Sequence, residues 1–412
     1  MNRIASILLI LLLSGLGTLG EAQNVILVGS AATPGIARDV SVSGVYAYIA
    51  DDSSGLQILD VSALSAPTIA GSCDTPGRAT GVFVAAGYAY VADGDSGLQI
   101  ADVSSPSNPT LTGSCDTPGE TQHCTIGGGH AYLADDTSGF RIVSVGDPAN
   151  LFEKGDYDTP GVAGDVALSG NYAFVADGDS GLQIIRTVPP VSPSLTGSCD
   201  TPGTAQGVFV SGNYCYVADG LYGLEIIDIS SLTTPTIVGN YDTPGNATDV
   251  FVSDNFAYVA DESSGLQVID VSNPFSPAFA GSYDTPGSAL GVHVSGNYAY
   301  VADSTSLQIL QFIPVGVPGE SVSLPERLEL FQNYPNPFNA ATVIRYNLPS
   351  ASDVIIEIYD VLGRRVETLM EGIQSAGLHS AVWDAELMTS GTYFYRIDAG
   401  GYSQARRCLL LK

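Results

Sequence analysis

The sequence predicts an all-β protein made of seven repeats of one four-stranded unit, followed by a smaller β domain. Three observations support this prediction. The motif Asp-Thr-Pro-Gly recurs every 42 residues, short segments rich in Val, Ile, Tyr and Phe alternate with turn residues, and this periodicity stops near residue 313. The charge balance changes at the same place, because residues 23–313 hold 31 acidic and 5 basic residues, whereas residues 314–412 hold 11 and 8.

The N-terminus has the features of a secretory signal. Arg3 supplies a positive charge, the apolar segment "IASILLILLLSGL" follows it, and Gly20 and Ala22 are small residues at the positions before a cleavage site. We therefore predict that residues 1–22 form a signal peptide that is cleaved after Ala22. The apolar segment is short for a membrane span, and no later segment is long and apolar enough to be one. We expect a protein without a transmembrane segment that works outside the cytoplasm.

Each repeat has the pattern of four short antiparallel strands. In the unit that begins at Thr80 these strands are "TGVFVAAG", "YAYVAD", "GLQIADVS" and "PTLTGS". Four strands within about 42 residues are typical of one propeller blade. The motif Asp lies at positions 74, 116, 158, 200, 242 and 284, and a decayed copy, "ATPG", begins at Ala32. The sequence therefore predicts a seven-bladed β-propeller within residues 23–313.

The repeated motif predicts a turn between the last strand of one blade and the first strand of the next. Pro at the second position and Gly at the third favour a type II turn, in which the Gly has a positive φ. The preceding Asp is expected to accept hydrogen bonds from N–H groups of the turn.

The two ends of the repeat region predict a closed ring. The segment "NVILVGS" (Asn24–Ser30) resembles a fourth strand and precedes the first copy, whereas the seventh copy ends after its third strand, near Phe312. We therefore predict that the N-terminal strand completes the seventh blade and leaves no open edge in the ring.

The repeat unit resembles the LVIVD-repeat propellers. The segment "YVADGDSGLQIADVSSPSNPTLTG" carries this resemblance, which extends in register over residues 24–313. The Asp that closes the third strand is present at Asp60, Asp102, Asp228 and Asp270 and is replaced elsewhere in the ring. The resemblance implies a surface or secreted protein and assigns no activity.

The C-terminal region has a different pattern. Residues 314–325 are rich in Pro, Gly and Ser and are predicted to form a linker, and residues 326–412 contain about six strands, which predict a small immunoglobulin-like β-sandwich. The segments "NYPNPFN", "IYDVLGRRV", "SGTYFYRI" and "LLLK" resemble the C-terminal sorting domain of type IX secretion cargo. That resemblance implies passage through the periplasm, recognition by outer-membrane secretion machinery, and a location at the bacterial surface or in the medium.

Charge and motif content narrow the possible functions. The formal net charge of −29 disfavours nucleic acid as a partner. The sequence has no Gly-x-Ser-x-Gly elbow, phosphate loop or HExxH motif. We therefore predict a non-catalytic binding or structural module for an unknown polymer or protein ligand. The alternatives are a secreted enzyme that uses carboxylates to act on carbohydrate or another polymer, and a calcium-dependent adhesin.

Acidic turns between the second and third strands are the candidate metal ligands, because calcium prefers oxygen ligands. The candidates are Asp51, Asp93, Asp95, Asp135, Asp177, Asp179 and Asp261. The alternative is that these residues only stabilise turns, since Asp beside Gly is common in hairpins. No other cofactor is expected.

Three basic residues in an otherwise acidic ring are the candidate ligand-binding residues: Arg141, Lys154 and Arg186. They lie in the third and fourth blades, where the repeat is least regular. His123 and His130 also lie in the third blade and are predicted either to face the channel of the propeller or to be ordinary strand histidines.

Overall fold

The computed structural model describes residues 25–314 and most of residues 328–410. The gaps in the second range are residues 334–335, 337, 339–340, 350–351, 375–376 and 386–387. The chain divides into two compact units, Met1–Pro314 and Val315–Lys412. The predicted signal peptide lies outside the described residues, as does the predicted linker after Pro314. No helix in the described ranges is long and apolar enough to cross a membrane.

The first unit contains seven four-stranded antiparallel sheets. The innermost strands are β2 (Asp39–Ser43), β6 (Gly81–Ala85), β10 (His123–Gly127), β14 (Asp165–Ser169), β18 (Gly207–Ser211), β22 (Asp249–Ser253) and β26 (Gly291–Ser295). The second strands are β3 (Tyr46–Ala50), β7 (Tyr88–Ala92), β11 (His130–Ala134), β15 (Tyr172–Ala176), β19 (Tyr214–Ala218), β23 (Phe256–Ala260) and β27 (Tyr298–Ala302). The third strands are β4 (Leu56–Asp60), β8 (Leu98–Asp102), β12 (Phe140–Ser144), β16 (Leu182–Arg186), β20 (Leu224–Asp228), β24 (Leu266–Asp270) and β28 (Ser304–Phe312). The outermost strands are β5 (Thr68–Cys73), β9 (Thr110–Cys115), β13 (Phe152–Tyr157), β17 (Ser194–Cys199), β21 (Thr236–Tyr241), β25 (Ala278–Tyr283) and β1 (Val25–Ala37).

The hydrophobic core of this unit lies between neighbouring blades. The second and third strands are buried on both faces, which explains their nearly continuous apolar sequences, as in β7 and β8. Seven clusters of buried side chains each combine residues of two adjacent blades. One of them joins the seventh blade to the first, for example Ile309 to Val40. The sheets therefore form a closed seven-bladed β-propeller, as the sequence predicted.

The N-terminal strand closes the ring. β1 pairs antiparallel with β28, from Val25 opposite Phe312 to Ala37 opposite Ser304. The strand extends beyond the predicted segment Asn24–Ser30, through the first motif copy as far as Ala37. The buried side chains of Val25 and Phe312 pack together with residues of the sixth blade.

The repeated turn differs from the predicted type II turn. Gly77 is not among the residues with positive φ. A Cβ at Gly77 would lie 2.1 Å from the carbonyl oxygen of Asp93, so Gly is required here for close approach of two backbones. The turn is held by the carboxylate of Asp93 and not by that of Asp74. The Thr75 hydroxyl donates to Asp93 Oδ1 (2.5 Å), and the Gly77 N–H donates to Asp93 Oδ2 (2.8 Å).

The second unit contains two antiparallel sheets, with strand orders β29-β30-β33 and β32-β31-β34-β35. The strands are β29 (Glu329–Leu330), β30 (Ala341–Leu348), β31 (Ser352–Tyr359), β32 (Arg365–Gln374), β33 (Gly377–Asp384), β34 (Gly391–Ala399) and β35 (Tyr402–Leu410). Trp383 and Tyr395, both completely buried, lie in the core that the two sheets share. All six strand segments predicted from the sequence are present, and the immunoglobulin-like topology stays a prediction.

Candidate ligand-binding site on the propeller axis

One position of the repeat, the first residue of each innermost strand, varies strongly from blade to blade. From the first blade to the seventh the residues are Asp39, Gly81, His123, Asp165, Gly207, Asp249 and Gly291. The innermost strands of neighbouring blades contact each other around the ring, so these residues form a circle around the axis. We call this set the axial ring.

Each aspartate of the axial ring connects two blades. Asp165 Oδ1 accepts the N–H of Val166 (2.6 Å), and Oδ2 accepts the N–H of Val208 in the next blade (2.7 Å). Asp39 and Asp249 form the same pairs of bonds, to the N–H groups of their own and the following blade. In every case the following blade has Gly in the axial ring, which gives the carboxylate access to that strand.

The glycines of the axial ring are required by crowding. A Cβ at Gly207 would lie 2.7 Å from the Cα of Asp249, and a Cβ at Gly81 would lie 2.9 Å from the His123 ring. Seven side chains therefore do not fit around the axis, and the alternation of Asp and Gly leaves an open space between the carboxylates.

His123 connects two of the three carboxylates. Its Nδ1 lies 2.5 Å from Asp165 Oδ1, and its Nε2 lies 3.5 Å from Asp39 Oδ2. Burial favours the neutral ring, but the carboxylates of Asp165 and Asp39 outweigh it and raise the pKa of His123 well above its usual value. The imidazolium therefore compensates the charges of Asp39 and Asp165.

Asp249 is the carboxylate of the axial ring that no cation accompanies in the described structure. Burial, together with repulsion from Asp165 and Asp39, raises the pKa of Asp249 to about 7. Its oxygens accept only backbone N–H bonds. A cationic group placed on the axis would therefore relieve an unfavourable negative charge.

The axial ring lies between two cavities. The larger has a volume of about 580 Å³, the smaller has about 310 Å³, and all three aspartates and His123 border both. The larger cavity is lined by five carboxylates against Arg38 and His123, which gives a net charge of −3 when all are charged. Arg38 is itself paired with Asp52 at 2.5 Å.

The smaller cavity is aromatic on one side. Phe209, Phe251 and His293 come from successive blades, and their ring centroids are 4.7 and 4.9 Å apart. Burial lowers the pKa of His293, so its ring is neutral and packs as an aromatic group. The channel therefore has a negatively charged ring next to an aromatic wall, a combination that suits organic cations.

The predicted metal ligands are distributed over the blades. Five of them, Asp51, Asp93, Asp135, Asp177 and Asp261, are completely buried, and each accepts an N–H bond of the neighbouring turn. Asp95 and Asp179 are exposed, and Asp179 accepts a bond from Thr204 (2.8 Å). Within the described ranges, no three His, Cys, Asp or Glu side chains are grouped as metal ligands. These contacts favour the turn-stabilising interpretation over calcium binding.

The three predicted basic residues do not converge on one site. Arg141 lies near the start of β12, where its side chain pairs with Asp135 (3.6 Å) and Glu153 (3.1 Å). Lys154 lies above the Phe152 ring on β13. Arg186 is the last residue of β16 and is exposed. Arg141 lies near the start of the third strand of its blade, so the two arginines lie at opposite ends of equivalent strands. His123, by contrast, faces the channel, whereas His130 bonds to Gly128 in a hairpin.

Family matches agree with this architecture. The LVIVD repeat matches seven consecutive segments: residues 34–75, 76–117, 118–159, 160–201, 202–243, 244–285 and 286–310. The chain belongs to the LVIVD-repeat family. No curated protein sequence is similar to this LVIVD-repeat protein.

A second family covers the C-terminal unit. Residues 332–410 match the secretion system C-terminal sorting domain. This domain indicates export by type IX secretion to the cell surface or the extracellular space, and it implies interaction with that secretion machinery. The predicted location is therefore confirmed.

Solved structures similar to the LVIVD-repeat protein include two β-propeller domains. The Cps50 (Swd1) β-propeller domain of Myceliophteria thermophila is 9% identical with a TM-score of 0.57 and covers 70% of this chain and 99% of its own. The WD40 propeller domain of Doa1 is 10% identical with a TM-score of 0.59, and the match covers 70% of this chain and 97% of the Doa1 domain. The computationally designed Ika8 protein is 8% identical with a TM-score of 0.52, and the match covers 71% of this chain and 100% of Ika8. At these identities the similarity concerns the fold alone.

Proposed function

We propose that this LVIVD-repeat protein is a non-catalytic binding module at the cell surface or in the medium that holds a small organic cation on the axis of its propeller. The observation that supports this most directly is the position of the Asp249 carboxylate. It lies at the junction of two cavities, no cation accompanies it there, and the aromatic wall of Phe209, Phe251 and His293 is close by.

The size and polarity of the channel define the ligand class. The smaller cavity has room for one ring or a short alkyl chain, and the neighbouring carboxylates suit an ammonium group. A cation next to aromatic rings gains about 0.5–2 kcal/mol from their faces. An ion pair with Asp249 adds to this, because the site is partly shielded from water. A neutral molecule of the same shape would gain only the apolar contacts.

A catalytic alternative rests on one feature of the same residue. A carboxyl group with a pKa of about 7 inside a cavity has the property of a general acid or base near neutral pH. Both oxygens of Asp249 already accept backbone N–H bonds, which fits a fixed binding group better than one that exchanges protons with a substrate.

Calorimetric titration of the purified protein with benzylammonium tests the proposal, and benzyl alcohol is the neutral control. We expect binding of the ammonium compound that weakens at least about tenfold in Asp249→Asn, and little binding of the alcohol. Asp254→Asn changes an exposed aspartate of the same blade and is expected to bind as the parent does. Equal binding of both compounds, or no effect of Asp249→Asn, would contradict the proposal. Turnover of a polymer substrate that is lost in Asp249→Asn would favour the enzyme.

A further inference from the structure

The turn between β31 and β32 exposes two large apolar side chains in the C-terminal unit. Val361 is 65% exposed and Leu362 is 74% exposed, and among the large hydrophobic side chains of the described residues only Leu221 is more exposed. Two adjacent large apolar side chains at the tip of a turn are a candidate point of contact with a partner. We call Val361 and Leu362 the apolar tip.

The apolar tip is held rigidly. Asp360 Oδ1 accepts the N–H groups of Leu362 and Arg364, both at 2.9 Å, and Oδ2 accepts Arg364 Nε at 2.8 Å. The Gly363 N–H donates to the Asp360 carbonyl, and Gly363 has a φ of 76°, a conformation that favours glycine. A turn fixed in this way loses little conformational entropy when it binds a partner.

A basic and aromatic face adjoins the apolar tip. The residues Arg365, Tyr359, Phe394 and Arg407 are direct cross-strand neighbours on β32, β31, β34 and β35, so they lie in one row on the same face of the sheet. Phe394 is 39% exposed, and the side chain of Arg365 is 63% exposed. The guanidinium group of Arg396 lies over the Tyr359 ring at 5.1 Å.

Four of the 14 basic residues of the chain lie around this turn, and three of them are paired within the face. Arg364 pairs with Asp360, Arg365 with Glu357, and Arg396 with Glu357 and Asp398. Arg407 has no ion pair among the described residues, so it is the cation that this face offers to a partner. Arginine and aromatic side chains are the residue types that concentrate in protein interfaces. A partner for this face needs an apolar pocket for the tip and a carboxylate for Arg407.

We propose that the apolar tip and the adjoining row of arginine and aromatic residues form the surface by which the sorting domain docks on an outer-membrane protein of the secretion machinery. The match of residues 332–410 to a sorting domain places this face in the part of the chain that the machinery handles. The machinery protein is expected to present an apolar pocket with a carboxylate beside it for Arg407.

The test uses the full chain, produced in a bacterium with type IX secretion, and measures its distribution between periplasm, cell surface and medium. The double variant Val361→Ser/Leu362→Ser is expected to reduce the surface and medium fraction at least about tenfold, with accumulation in the periplasm. Tyr402→Ser is the matched control, because Tyr402 is 56% exposed in the turn at the opposite end of the same sheet. It is expected to be exported as the parent is.

The thermal unfolding of each purified variant separates docking from folding. We expect the double variant to keep the parent melting temperature, since neither side chain contributes to the core. Normal export of the double variant, or an equal defect in Tyr402→Ser, would overturn the proposal. If the double variant were unstable, the export of Arg407→Glu would test docking instead, because this substitution changes the charge of the face and leaves the tip intact. A folded Arg407→Glu variant with normal export would also overturn the proposal.

Discussion

Glu225 gives a quantitative prediction about the propeller, because it occupies a position where four other blades have a glutamine that is bonded to a turn carbonyl. In those blades the glutamine amide donates to a turn carbonyl, as Gln183 does to the Ser180 carbonyl at 2.8 Å. An ionised carboxylate cannot donate this bond. Glu225 is 3% exposed, and burial together with the charge of Asp219 raises its pKa from 4.5 to about 7.

The sign and size of the effect follow from this shift. The folded state holds a proton on Glu225 more tightly than the unfolded state does, so its stability falls as the pH rises from 4.5 through 7. At about 1.4 kcal/mol for each pH unit, the loss at pH 8 is about 3 kcal/mol. Glu225→Gln removes this loss and supplies the missing donor. We therefore expect the variant to be about 3 kcal/mol more stable than the parent at pH 8 and nearly equal to it at pH 4.5.

Urea unfolding at several pH values measures the effect. The only tryptophan, Trp383, lies in the C-terminal unit, so tyrosine fluorescence or circular dichroism reports on the propeller and tryptophan fluorescence on the other unit. Gln183→Glu is the converse control and should lose stability as the pH rises above 4.5, in the same direction as the parent does through Glu225. If the stability difference between the parent and Glu225→Gln were the same at pH 4.5 and pH 8, Glu225 would not be the source of the pH dependence.

Three further predictions concern the turns, the ring closure and calcium. Asp93→Ala leaves the Thr75 hydroxyl and the Gly77 N–H without their acceptor, so chemical unfolding should show a loss of about 2–4 kcal/mol, and an unchanged midpoint would contradict the assigned role. Deletion of residues 25–30 removes six of the thirteen residues of β1, including five that pair with β28, so size-exclusion chromatography should show aggregation, and a monomer of parent stability would contradict closure by β1. Calcium at millimolar concentration should leave the melting temperature unchanged, because the buried aspartates already bind their turns, and a measurable increase would restore the calcium interpretation.

The propeller fold was predictable because the sequence repeats every 42 residues. A 42-residue period, the spacing of turn residues and the fourth-strand character of the N-terminal segment together define seven blades and their closure. The interactions of the turn were not predictable in the same way. The acceptor for Thr75 is Asp93, 18 residues further along the chain, and only the packing of two blades brings these residues together.

The sequence alone did not indicate the axial ring, because the residues that differ in charge from the rest of the propeller are the basic ones. Arg141 is unusual, but Asp135 and Glu153 already compensate it within its own blade. Asp39, Asp165 and Asp249 are ordinary in an acidic chain. They form a possible binding site only because the first residues of the innermost strands come together in a circle around the axis. Reading the sequence at every forty-second position from residue 39 would have shown this set.

Binding of an organic cation on the axis of the propeller can be observed in a crystal structure of the protein soaked with 4-bromobenzylammonium. The anomalous signal of bromine locates the ring without assumptions about its position. We expect one bromine peak in the smaller cavity, near Phe251 and His293, with the ammonium group within hydrogen-bond distance of Asp249. A peak outside the channel, or a peak on the axis that persists unchanged in Asp249→Asn, would contradict the proposal.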